Sequence, residues 1–200
     1  MNYTSSEVLR KTNVQLDSYC SGHQKQLFNE APGSMFPPEL MDELIATCGD
    51  PVYRNYLTKL KTIFDEKTAK SQVDIFLYAS VLSEYIQNGR MSIGNVAHDL
   101  TKEQVEAHIR YICKCMKNNP KFRVFLIRDT INIGMVRKYH PSLFLDEKSV
   151  SIENSQKSLN ESYHISMDSG VVALFERYMA DIEKQSNCTM VTPEELERYL

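Results

Sequence analysis

The chain predicts an α/β fold: a mixed sheet of about five strands covered by helices, with a helical segment at its N-terminus. Three observations carry this. Val73–Tyr78 (VDIFLY) and Phe122–Ile127 (FRVFLI) are almost continuously apolar, the pattern of interior strands covered on both sides. Two helical patterns lie between them, a crossover long enough to join parallel neighbours. A β-hairpin pattern then follows within 140–157.

Residues 1–36 form a helical arm with a linker rich in Pro, Gly and Asn, and 37–200 form the α/β domain. Pro38 to Thr47 carries Leu40, Met41, Leu44 and Ile45 at helical spacing, closed by Gly49. Asp50-Pro51 is an N-cap followed by proline at the first helical position. It starts a helix to about Glu66 with Tyr53, Tyr56, Leu57, Leu60, Ile63 and Phe64 on one stripe. After VDIFLY, a short helix with Val81, Leu82, Tyr85 and Ile86 stops at Asn88-Gly89. Thr101-Lys-Glu-Gln104 is a capping box, and its helix turns Val105, Ile109, Ile112 and Met116 inward before Asn118-Asn119-Pro120. In the hairpin, Leu143, Phe144 and Leu145 break at Asp-Glu-Lys, and Val150 and Ile152 then alternate with Ser149, Ser151 and Glu153. A strand around Tyr163–Ile165, a helix with Val171, Phe175, Tyr178 and Ile182, and a helix capped by Thr192-Pro193-Glu194-Glu195 complete the pattern.

Composition limits the function classes. With 42% hydrophobic and 24% charged residues the chain is that of a globular protein rather than a disordered one. A net charge of −3 argues against a nucleic-acid-binding face spread over the whole chain. No run has transmembrane or signal-peptide length, and five scattered cysteines fit a reducing compartment, so a cytoplasmic location and no membrane partner are expected.

Chemical motifs are sparse. Cys113 and Cys115 are two apart on a helix and point to different sides, and Cys20 with His23 supplies only two ligands where zinc needs three or four. Neither a metal nor a cofactor is expected. The seven glycines are isolated, so no phosphate-cradling loop is present in the pattern. Asp129 follows strand FRVFLI, where open α/β sheets place their ligand crevice, which groups it with Tyr78 and His140. Arg137-Lys138 beside His140 could hold an anion at the hairpin mouth. The ligand-binding candidates are therefore Tyr78, Asp129, Arg137 and His140, with His164 weighed as a strand histidine of structural role.

This order of elements resembles one half of the phospholipase D fold, whose hairpin motif is H-x-K-x4-D-x6-G-S-x-N. Laid from His140 without gaps, the motif's His is matched, its Lys falls on Ser142, its Asp on Glu147, its Gly on Asn154, its Ser on Ser155 and its Asn on Lys157. Shifting by one residue puts Asp146 on the acid but Tyr139 on the histidine. In that chemistry histidine attacks phosphorus while cationic donors stabilise the phosphoryl oxygens, and losing such a donor costs about 10²–10³ in rate. Serine brings no charge. The resemblance thus implies a catalytically degenerate domain, of the kind found as dimer-forming effector sensors in helix-turn-helix transcriptional regulators.

The run Ser6 to Val14, then Leu16 to Gly22, resembles the turn and recognition portion of such a helix-turn-helix, without its preceding helix. DNA is expected as a partner only if that region is present. The expectation is a non-enzymatic regulatory domain that binds a small-molecule or protein effector and forms a homodimer. The alternatives are a weak phosphodiesterase or nuclease using His140, and a protein-binding adaptor.

Overall fold

The computed structural model describes residues 23–93, 96–128, 141–153 and 163–200. The elements are β1 (Gln24–Phe28), α1 (Pro38–Thr47), α2 (Pro51–Lys70), β2 (Val73–Tyr78), α3 (Ala79–Asn88), β3 (Arg90–Ile93) and β4 (Val96–Asp99). There follow α4 (Lys102–Asn118), β5 (Phe122–Ile127), β6 (Ser142–Leu145), β7 (Val150–Glu153), β8 (Tyr163–Ser166), α5 (Ser169–Glu183), β9 (Cys188–Val191) and α6 (Pro193–Glu197). A single 3-10 turn, Gly33–Met35, links β1 to α1.

The fold is α/β, as the sequence predicts, but its mixed sheet has seven strands in the order β8-β7-β6-β1-β2-β5-β9. β1, β2 and β5 are parallel, and β6, β7, β8 and β9 are added antiparallel on the two sides. The predicted parallel pair and hairpin are both present: Val73 pairs with Phe122 through to Tyr78 with Ile127, and Leu143 with Ile152. β3 and β4 form a separate two-stranded ribbon.

One correction concerns the N-terminal stretch read as helical arm and linker. Within it, Gln24–Phe28 is the middle strand of the sheet, parallel to β2 and antiparallel to β6. Its alternation puts Gln24 and Gln26 on one face, and both are buried, with Gln26 Nε2 donating to Gln24 Oε1 at 3.3 Å. Two buried glutamines hide the strand from a hydrophobicity pattern. The helix-turn-helix resemblance falls on residues 6–22, outside the described residues.

The strands β1, β2 and β5 step in one direction along the sheet. Right-handed crossovers therefore put α1–α4 on one face and, among the described residues, leave the other to α5. On the α5 face, Phe76 and Phe125 stand in register and stack with centroids 4.6 Å apart. Leu27 and Leu143 continue the same row, and α5 buries Val172, Met179 and Ile182. No helix among the described residues is long and apolar enough to cross a membrane.

Candidate functional site

The second residue of each interior parallel strand interrupts the apolar pattern, and the register brings these interruptions together. Lys25 of β1 pairs with Asp74 of β2, and Asp74 with Arg123 of β5, while Leu145 of β6 stands on the other side of Lys25. All four side chains lie on the α5 face, at the amino ends of the parallel strands.

Asp74 is the centre of this row. Its side chain has no exposed surface, and it accepts hydrogen bonds from Arg123 Nε at 2.7 Å and Arg123 Nη2 at 2.6 Å. His23, just before β1, adds a third bond from Nε2 at 2.7 Å. The planar guanidinium fork matches the two carboxylate oxygens, a geometry a lysine ammonium cannot reproduce. Burial alone would push the Asp74 carboxyl up, but the bonds from His23 and Arg123 outweigh it and hold the group below its ordinary range. Arg123 is in turn held above its ordinary value by the bond to Asp74. Its guanidinium lies 5.2 Å from the centroid of Phe125 and 3.9 Å from Glu183 Oε1 of α5.

The charged chain opens on a cavity of about 460 Å³ under α5. The sheet side contributes His23, Lys25 and Leu145, the β6–β7 turn Asp146 and Glu147, and the helix Glu176, Arg177 and Ala180. Room exists because the helix places the small Ala180 there. With Asp74 ionised, Nε2 of His23 carries the proton, which leaves Nδ1 without a partner among the described residues. The ring is 30% exposed, so it joins a buried carboxylate to an open space. Asp146, by contrast, is occupied by its own turn, accepting from the N–H of Lys148 at 2.7 Å and of Ser149 at 2.8 Å, and from the Ser149 hydroxyl at 3.2 Å.

The residues singled out in the sequence lie elsewhere or are not covered. Asp129, Arg137 and His140 fall outside the described residues. Tyr78 ends β2 at the opposite, carboxyl edge of the parallel strands, where it is buried, and it does not line the cavity. Ser142, on which the lysine of the phospholipase D motif falls, is also buried. Its hydroxyl donates to Asn29 Oδ1 at 2.7 Å and accepts from the Asn29 N–H at 3.3 Å. His164 of β8 is exposed. Cys113 and Cys115 are both buried, and burial pushes the Cys113 thiol up to about 11. Among the described residues no group of three or more His, Cys, Asp or Glu side chains could hold a metal.

Sequence reading missed His23, Lys25, Asp74, Arg123 and Arg177 as a group. A signal was present: Asp74 and Arg123 are opposite charges at the same position of two strands otherwise read as wholly apolar. A charge in such a strand needs a partner, because an unpaired buried charge is costly.

No protein-family model matches the chain, no curated protein matches it, and no solved structure matches it.

Proposed function

We propose that the chain is a non-enzymatic regulatory domain that senses a small molecule in the cavity under α5, and that its output is a change in self-association. The observation that carries this reading is the His23–Asp74–Arg123 chain ending at an open cavity. His23 makes no hydrogen bond to a Ser, Thr or Cys among the described residues, so the arrangement offers an oriented polar group and no activated nucleophile. The cavity volume lies within the ordinary range for small-molecule sites. Helix α5 roofs the cavity and also exposes Leu174 and Tyr178, 56% and 41% accessible. A ligand that shifts α5 therefore changes the surface offered to a second copy, which is a population shift between two arrangements.

A degenerate phospholipase D-like origin belongs to the same proposal. It rests on the order of β2, β5, the β6–β7 hairpin and α5, and on Ser142, whose hydroxyl is committed to Asn29 rather than free for a phosphoryl oxygen. The rival reading, a phosphodiesterase using His140, predicts hydrolysis of bis(p-nitrophenyl) phosphate that vanishes in His140→Ala; no such activity is expected.

The test is thermal unfolding across sugars, sugar phosphates, nucleotides and carboxylic acids. A ligand present at 100 times its Kd stabilises by about 2.7 kcal/mol. Ala180→Leu, which fills the cavity from the helix side, should abolish that stabilisation while leaving the far-UV circular dichroism unchanged. Undiminished binding in Ala180→Leu would remove the cavity from the proposal.

A further inference from the structure

Deepening the ligand-sensing reading on which it rests, we infer that the ligand carries an anionic group, a carboxylate or a phosphate, held by Lys25 with Arg177. Lys25 is the central cation of the cavity. It stands directly beside Asp74 in the β1–β2 register and is half-buried. Asp74 is the natural counterion, but Arg123 and His23 already give it three hydrogen bonds and Lys25 makes none to it. Lys25 therefore has no ion pair among the described residues, although it lines a cavity rather than open surface. A half-buried ammonium without a counterion is poorly solvated, and an anion entering the cavity supplies what the fold withholds.

A second cationic group reaches the same space. Exposed Arg177 reaches it from α5 without an ion pair among the described residues, while His23, whose Nε2 proton is given to Asp74, leaves only an acceptor nitrogen at Nδ1. The acids around the cavity do not cancel this arrangement. Asp146 accepts from two turn N–H groups at Oδ1 and from the Ser149 hydroxyl at Oδ2, and Glu147, Glu176 and Arg177 are all exposed, where water screens them, so half-buried Lys25 is the charge that dominates. Lys25 comes from the sheet and Arg177 from the helix, so one bound anion ties α5 to β1.

The experiment is thermal unfolding of the whole chain at constant ionic strength, balanced with sodium chloride. The probes are inorganic phosphate, succinate, glucose 6-phosphate and, as the neutral counterpart, glucose. The expected result is a saturable rise in Tm with at least one of the three anions and none with glucose. Lys25→Met and Arg177→Met, each changing a side chain with no partner to lose, should raise the apparent Kd at least tenfold with unchanged circular dichroism. Saturable stabilisation by glucose alone would overturn the anion inference and leave the sensing reading standing. Stabilisation by an anion that is equal in the wild type and both variants would move the anion away from this cavity and overturn the assignment. A flat response to every probe and to the wider ligand panel would overturn the sensing reading itself.

Discussion

Asp74 shows how a single side chain can be both a structural tie and the back wall of a site. Three charge-assisted bonds converge on a carboxylate with no exposed surface. Asp74→Asn would keep the shape but turn one acceptor into a donor facing Arg123 and His23. Removing one partner of a buried pair costs about 3–5 kcal/mol, and the lower end applies here because His23 and Arg123 are each about a third exposed. The pH dependence has a definite sign. Asp74 is held below its unfolded value, so its contribution is fully present above pH 3.8 and is lost as pH falls through the lower folded value. Urea unfolding at pH 7 should therefore show a large deficit for Asp74→Asn that shrinks in strong acid. A variant within 0.5 kcal/mol of wild type (roughly the scatter of an ordinary surface substitution) would show the tie to be unimportant. The sequence held only half of this: opposite charges at matching positions of two apolar strands hint at a pair, but one charge among five apolar neighbours reads as an exception until the register supplies its partner.

At the scale of elements, local chemistry was the most legible. The capping box at Thr101 is formed as written, with Gln104 N donating to Thr101 Oγ1 at 3.3 Å and Thr101 N to Gln104 Oε1 at 3.0 Å. Thr192 and Glu195 repeat it at the start of α6. The Asn88-Gly89 stop is equally local: Gly89 has φ of +68° and its N–H closes α3 on the Tyr85 carbonyl at 2.8 Å. A Cβ at that position would meet the Leu100 carbonyl oxygen at 2.3 Å. Gly89→Ala adds the left-handed penalty of about 1–2 kcal/mol to that clash, so a loss of at least about 2 kcal/mol is expected by chemical denaturation. An unchanged midpoint would mean that the β3–β4 ribbon moves freely away from α3. Strands without a hydrophobic signature were the illegible elements. β1 buries glutamines, and β9 (CTMV) exposes Thr189 and Met190, so neither shows an alternation that points inward.

For the molecule as a whole, the helical layer encloses a buried titratable group, His108. The ring is fully buried between α4, Tyr85 of α3 and Phe36 after the 3-10 turn, with Nδ1 2.6 Å from the Tyr85 hydroxyl. Burial pushes the imidazole down to about 3. Between pH 6.5 and about 3 the unfolded chain therefore binds a proton that the folded chain does not, and stability falls with pH by up to about 1.4 kcal/mol per unit. Above 6.5 the effect is absent. His108→Gln keeps a partner for Tyr85 but does not titrate, so its stability difference between pH 7 and pH 5 should be smaller than wild type by one to two kcal/mol, about the size of that linkage. Equal slopes in the two proteins would place the acid sensitivity elsewhere. This window runs into that of Asp74 below pH 3.8, so the interval between 6.5 and 3.8 is where His108 titrates apart from it. The α/β class and the parallel β2–β5 pair were readable because apolar runs and crossover length constrain topology. The candidate site was not, since it is assembled from residues 23, 25, 74, 123 and 177, which only the sheet register and α5 bring together.

The place of β9 also sets a timetable for synthesis. β5 is hydrogen-bonded to β2 on one side and to β9 on the other, and 60 residues, 128–187, separate β5 from β9 in the chain. A ribosome adding roughly 5–20 residues per second needs about 3–12 s to cover that distance. Throughout that interval the apolar edge of Phe122–Ile127 lacks the strand that later covers it, which makes it the edge most open to mispairing during synthesis.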